Sequence, residues 1–233
     1  MRIKLFLAAF AACLLIVGAG HADVIIDNFN TTTHSVSATA GTAPQTDTAA
    51  TAAGESISSH RTIEISSVAG ALTASLDANP GGTQVLAHSN GVGTSSDAIV
   101  IWDDNGAGLG GVDVLEGFLV SERFLSLEIV SVDVGLVDLR VSFFDVFANV
   151  AFTDIISPGP GIFQRKLDTF TGAGAIDYTM IDKVTLEIFA DTESDLSIDS
   201  VFVAGQIPEP STVVLLGIGI LGVLGVGYRR RRS

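Results

Sequence analysis

Apolar residues in this chain recur at every second position far more often than at every third or fourth. Residues 124–131 set Leu125, Leu127 and Ile129 on one face, residues 136–147 alternate Leu139, Val141 and Phe143 with Arg140, Ser142 and Phe144, and residues 183–190 turn Val184, Leu186 and Ile188 the same way. That period belongs to a strand with one buried face. Shorter β-prone runs at 57–65, 72–77, 83–88 and 98–102 are separated by turn chemistry such as Asn79-Pro80-Gly81-Gly82 and Asn90-Gly91-Val92-Gly93. Residues 23–29 open the series and 196–203 close it. About ten strands without intervening helices predict a mainly β fold. The expected architecture is an antiparallel β-sandwich, jelly-roll-like, whose first strand can pair with its last.

Three segments depart from this pattern. Residues 30–59 are dominated by Thr, Ala, Ser and Gly. Such a stretch buries too little surface to offset its ordering entropy, so a long exposed loop is expected, with hydroxyls that could carry O-linked sugar. At the N-terminus, Arg2 and Lys4 precede an apolar core at 5–17, and small residues at Gly20 and Ala22 follow. That order predicts a secretory signal helix over 1–22, cut after Ala22. Cys13 follows Phe10-Ala11-Ala12 in the manner of a lipoprotein box, but Leu14-Leu15-Ile16-Val17 continues the apolar core beyond it.

At the C-terminus, residues 212–228 carry no charge and number 17. As a single helix that is the lower limit for crossing a hydrocarbon core of ~30 Å. Arg229, Arg230, Arg231 and Arg232 come next. By the positive-inside rule they hold the end in the cytoplasm, with Tyr228 at headgroup level. Just ahead of the apolar run, Pro208 and Pro210 bracket Glu209. Their fixed φ and missing donors keep the segment extended and accessible to a processing enzyme.

The order Pro208-Glu209-Pro210-Ser211-Thr212, then Leu215-Leu216-Gly217, then the arginine cluster closely resembles the PEP-CTERM sorting signal of Gram-negative bacteria. The resemblance covers about a tenth of the chain. It implies recognition at Pro208, Glu209, Pro210 and Ser211 by an exosortase, a membrane-embedded cysteine transpeptidase-like enzyme, with Arg229 to Arg232 retaining the precursor during processing. It also implies a setting of exopolysaccharide and biofilm, and delivery to the cell surface or extracellular matrix after a transient inner-membrane stage. An uncut tail anchor is the alternative. The part between the signals, residues 23–207, resembles PEP-CTERM-associated domains that open with a Val-Ile-Asp-Asn-Phe-like strand. They also carry a Gly-Gly-Val-Asp segment after a Trp-Asp strand end and finish Asp-Leu-Ser-Ile-Asp, all present here at 24–29, 102–113 and 195–199. In outline these are similar to jelly-roll carbohydrate-binding modules.

Charge and composition narrow the function. Setting aside Arg2, Lys4, the four terminal arginines and Glu209 leaves 6 basic against 25 acidic residues, a net charge of −19 on a 185-residue body of one domain. Such a surface repels phosphate backbones and anionic lipids, so neither nucleic acid nor a membrane surface is an expected partner. Cys13, in the leader, is the single cysteine, which excludes a disulfide framework and a thiolate site from the body. Gly106, Gly108 and Gly111 satisfy G-x-G-x-x-G, but on an exported all-β chain the glycines read as a hairpin, not a nucleotide site.

Calcium is the one cofactor the composition leaves open. Its oxygen ligands would come from Asp103, Asp104, Asn105 and Asp113, joined by Asp27 and Asp199 if the terminal strands pair. His34, His60 and His88 show no metal-ligand spacing and read as exposed, there is no G-x-S-x-G elbow, and no catalytic residue is nominated. A non-enzyme is expected. Two function classes follow: an exported structural or interaction protein, or a carbohydrate-binding module stacking Trp102 or Tyr178 on sugar rings. Exposure of these rings favours the second; burial of both counts against it. Phe143, Phe144 and Phe147 read as core.

Overall fold

The computed structural model describes residues 23–133 and 136–205. Thirteen strands run in chain order: β1 Val24–Asp27, β2 His34–Ala38, β3 Gln45–Ala50, β4 His60–Ala69, β5 Ala74–Ala78, β6 Leu86–Asn90, β7 Ser95–Trp102, β8 Arg123–Val132, β9 Val137–Asp145, β10 Val150–Ile156, β11 Gly161–Lys166, β12 Ile181–Ala190 and β13 Asp195–Gly205. They form two sheets, one ordered β11-β8-β13-β6-β5-β2 with β1 also against β13, the other β10-β9-β12-β7-β4-β3. Neighbours pair antiparallel throughout. The fold is the expected mainly β, jelly-roll-like sandwich. The predicted signal helix, Ala22, the sorting signal and the transmembrane helix lie outside the described residues.

Alternation makes the core. Leu125, Leu127 and Ile129 of β8 face Leu139, Val141 and Phe143 of β9 and Val184, Leu186 and Ile188 of β12 across the inner layer, all essentially without solvent contact. Their outward neighbours are polar or half-exposed, as a one-sided sheet requires. Phe143 packs edge-on against Tyr178 at 5.9 Å and obliquely on Phe170 at 6.0 Å, geometry that favours ring edges over stacked faces.

The expected pairing of first and last strands is present. Val24 opposes Val203 and Ile25 opposes Phe202, so β1 fills the half of the β13 edge that β6 leaves free. Both ends of the sandwich chain therefore emerge from the same end of the domain.

Segment 30–59 is not the long loop that its composition predicts. His34, Val36 and Ala38 of β2 point into the core while Ser35 and Ser37 point out, and Val36 pairs with Leu76 of β5. β3 pairs with β4 at the opposite sheet's edge, where Thr48 and Thr62 share a hydroxyl hydrogen bond of 2.9 Å. Order in this segment does not come from large side chains. An edge strand needs one line of small inward residues and a ladder partner, and Thr suits a pleated surface. Strands β10 and β11 were also without a clear signal, because Ala151 and Thr153 mark the inward face of β10 and β11 is almost wholly exposed.

Leu186 lies at the centre of β12 with no solvent contact. Leu186→Ala is expected to cost about 2–5 kcal/mol, measured by urea denaturation, through lost transfer energy and the cavity left behind.

Candidate functional site

The most concentrated chemistry in the domain is internal. Asp27, at the end of β1, is fully buried and meets Arg61 of β4 through both carboxylate oxygens, at 2.7 and 2.8 Å. The Trp102 indole donates to Asp27 Oδ2 at 2.6 Å and the Phe29 amide donates to Oδ1 at 2.9 Å. The other donors of Arg61 are also engaged: Nε donates to His34 Nε2 at 2.9 Å and Nη2 to the Thr32 carbonyl at 3.0 Å. The guanidinium lies 5.0 Å over the Phe29 ring. Both contacts come from Nη1, and a hydrogen bond between two charged groups is stronger than a neutral one. Burial pushes the Asp27 carboxyl above its ordinary range, and Arg61, Trp102 and Phe29 pull against that rise.

Glu55 supports the same cluster from the 51–59 connection. Its carboxylate accepts from the Thr31 and Thr32 hydroxyls at 2.6 and 2.8 Å and from the Ala52 amide at 3.0 Å, and it lies 3.6 Å from Arg61 Nη2. Burial works against its charge, but these hydrogen bonds outweigh burial and bring the carboxyl down to about 2. His34 accepts from Arg61 through Nε2, so its proton sits on Nδ1, which faces Asp47 Oδ2 at 3.2 Å. Burial, and then the nearby Arg61 charge, lower its pKa. Asp27, Arg61 and Glu55 are thus matched by protein groups, whereas the buried His34 Nδ1 approaches Asp47 without a hydrogen bond. The arrangement locks β1, β2, β4 and β7 together across both sheets.

Two expectations about histidine and aromatic residues are corrected. His34 and His88 are buried, not exposed; His60 is half-exposed and shares the Asp104 carboxylate with Ser59. His88 Nε2 meets Ser96 Oγ at 2.8 Å, and Ser96 donates onward to Asn90 Oδ1 at 2.7 Å. Phe147 was expected in the core and is 70% exposed. Trp102 and Tyr178 are both buried, Tyr178 donating to the Leu167 carbonyl at 3.1 Å.

The six candidate calcium ligands are not gathered. Asp27 is committed to Arg61 inside the core, whereas Asp199 lines an open recess with Asp23, Asn28 and Phe202. Asp103 accepts from the Gly106 amide and Asp113 from the Leu115 and Glu116 amides, which is ordinary turn chemistry. Asn105 adopts φ +59° in that turn. Among the described residues no three His, Cys, Asp or Glu side chains form a group able to hold a metal ion. The glycine-rich stretch folds against Asp182, not as a hairpin: its carboxylate accepts from the Gly110 amide at 3.2 Å, and a Cβ on Gly108 would overlap it.

The remaining feature is where the chain leaves. Gly205, the last residue of β13, pairs with Arg123, whose guanidinium is fully buried. Arg123 donates from Nε to the Leu115 carbonyl at 2.9 Å and from Nη2 to Glu116 at 3.1 Å, and lies 4.5 Å over the Phe118 ring. The strand is anchored up to its final residue.

The residues that follow match a known sorting motif. Residues 206–232 match the family model of the PEP-CTERM protein-sorting motif. No curated protein matches the chain. Among solved structures it is similar to the family 11 carbohydrate-binding module of the cellulosomal cellulase Lic26A-Cel5E of Clostridium thermocellum, at 11% identity over 82% of this chain and 99% of that one, with a TM-score of 0.41. It is likewise similar to the family 30 carbohydrate-binding module of Cel9D-Cel44B of Clostridium thermocellum, at 15% identity over 80% and 99%, with a TM-score of 0.42. A third similar structure is PfGH50B, at 14% identity over 54% of this chain with a TM-score of 0.41, and the chain spans 21% of it. Likeness at these scores carries no argument about ligand. The two-sheet fold stands on its own strand pairing.

Asp27→Asn is expected to cost about 3–5 kcal/mol in urea denaturation, because it leaves the Arg61 charge buried without its partner. Replacing both, Asp27→Leu with Arg61→Met, is expected to recover much of that loss. The pH dependence follows from His88, which burial pushes down to about 4, the Asp195 charge opposing only in part. The unfolded imidazole takes a proton near 6.5 and the folded one only near 4, so stability is full above 6.5 and falls as the pH drops between them. His88→Gln is expected to flatten that decline relative to the parent chain, measured as urea midpoints at pH 7 and pH 5.

Proposed function

We propose that a chain carrying a PEP-CTERM sorting motif at its C-terminus is an exported, non-enzymatic protein of the cell surface or extracellular matrix. In this reading the leader is cut after Ala22 and the apolar run at 212–228 holds the domain in the inner membrane. An exosortase-type enzyme then cuts near Pro208-Glu209-Pro210. Glu209 between its two prolines is the recognition element with Ser211, and Arg229, Arg230, Arg231 and Arg232 keep the segment from sliding through before the cut.

The observation that carries this reading is the motif match at 206–232, joined directly to a strand that stays paired through Gly205. The folded domain therefore extends to the residue before the signal. The mature protein's role in exopolysaccharide or biofilm is structural or adhesive. The alternative of a sugar-binding module loses its best stacking rings, since Trp102 and Tyr178 are both buried.

Glu209→Ala, or deletion of the four terminal arginines, is expected to leave the precursor uncut in the native cells while the sandwich keeps its urea midpoint. The readout is the ratio of precursor to mature protein on an immunoblot. Wild-type maturation of both variants would contradict the assignment.

A further inference from the structure

The end of the sandwich from which the chain leaves is marked twice. Val24 opposes Val203 and Arg123 opposes Gly205, so the first and last described residues emerge side by side. Only residues 206–211 separate Gly205 from the apolar run that begins at Thr212. The seven steps from Gly205 to Thr212 span at most about 25 Å even fully extended. The headgroup zone occupies part of that span on each side of the hydrocarbon core. While the C-terminal segment is in the membrane, this end of the domain therefore cannot leave the vicinity of the lipid surface.

Two apolar side chains project there from held turns. Phe147 is 70% exposed at the tip of the β9–β10 hairpin. The buried Asp145 carboxylate clasps that turn, accepting from the amides of Phe147 and Asn149 and the Asn149 side chain at 2.9 Å each, and from the Asp177 amide at 3.0 Å. Val146 donates to the Met180 carbonyl at 3.0 Å, and Val146, Val150 and Met180 are all exposed around the tip. Leu119 is 67% exposed, with its amide held by Glu122 at 3.1 Å just before β8 begins at Arg123. The turn containing Asp177 runs on to Tyr178, which bonds Leu167 directly after β11, and β11 pairs with β8. Both projections thus belong to the exit end.

Arg165 and Lys166, at the end of β11, are exposed at the same end. Asp113, Glu116, Glu122, Asp168 and Asp177 are exposed there as well, so free adsorption from solution is opposed by charge. A tether changes the requirement. With the domain held at high effective concentration, even weak apolar insertion suffices. Exposed apolar residues also occur at the far end, Leu136 and Ile156 among them, and the chain exits are what distinguish the two ends.

We propose that, in the membrane-held precursor, Leu119 and Phe147 rest in the headgroup–acyl boundary and fix the domain upright with its sorting motif at the lipid surface. The inference depends on the reading of 212–228 as a membrane anchor.

The test uses the full chain reconstituted in phospholipid vesicles, with Phe147→Trp, Leu119→Trp or, as the far-end control, Ile156→Trp. Co-flotation with vesicles reports the anchor, and quenching of the added tryptophan by brominated lipid reports the contact. Trp102 is buried and supplies a constant background. Insertion of about 5–10 Å predicts loss of about half of the added emission at 119 and 147 and none at 156. Co-flotation with equal or absent quenching at all three positions overturns the contact alone. Failure to co-float overturns the anchor and the contact with it. A blue shift at 147 that resists bromolipid and fades on dilution assigns this end to a second copy of the chain, which also overturns the proposal.

Discussion

A carboxylate sealed away from water is the constraint on which this sandwich is built. Asp27 sits in the core opposite Arg61, with the Trp102 indole and the Phe29 amide completing its hydrogen bonds. Removing two charges from water is costly, and the mutual attraction offsets that cost only when every remaining donor and acceptor is matched. Here the matching is done by strands of both sheets. The first strand therefore has one position in which its aspartate is satisfied, and that position lies along β13. Glu55 and His34 extend the same logic to segment 30–59, which has few large apolar residues of its own to hold it.

Placing β1 against β13 has a functional side. It brings the entry and exit of the domain to one end, and Arg123 keeps the final strand paired up to the residue before the sorting motif. None of this requires a ligand site, and the two aromatic side chains best suited to sugar stacking serve the core instead.

Much of the fold was legible where periodicity and side-chain size agreed. Leu125, Leu127 and Ile129, or Val184, Leu186 and Ile188, announce their strands because each inward position is large and each outward one is not. Strand β2 uses the same period with His34, Val36 and Ala38, but a histidine and an alanine do not register as an apolar face. The burial of His34 depends on Arg61, 27 residues away, and no local pattern reveals such a partner. Asp27 misled for the same reason: pairing of the terminal strands suggests a cation site shared with Asp199 until its own arginine is seen. Phe147 was hidden by composition, since a phenylalanine following Phe143 and Phe144 looks like core while the hairpin clasped by Asp145 turns it outward. The C-terminal sorting motif was the opposite case. Its chemistry is local, carried by neighbouring residues, and the family model matches it over 206–232.

The most direct test of the account is the intact mass of the protein taken from its native cells, compared with cells lacking the exosortase-type enzyme. The account predicts that everything beyond the Pro208-Glu209-Pro210 region is missing only when the enzyme is present. A full-length tail in both would contradict it and leave a sandwich permanently anchored by its C-terminus.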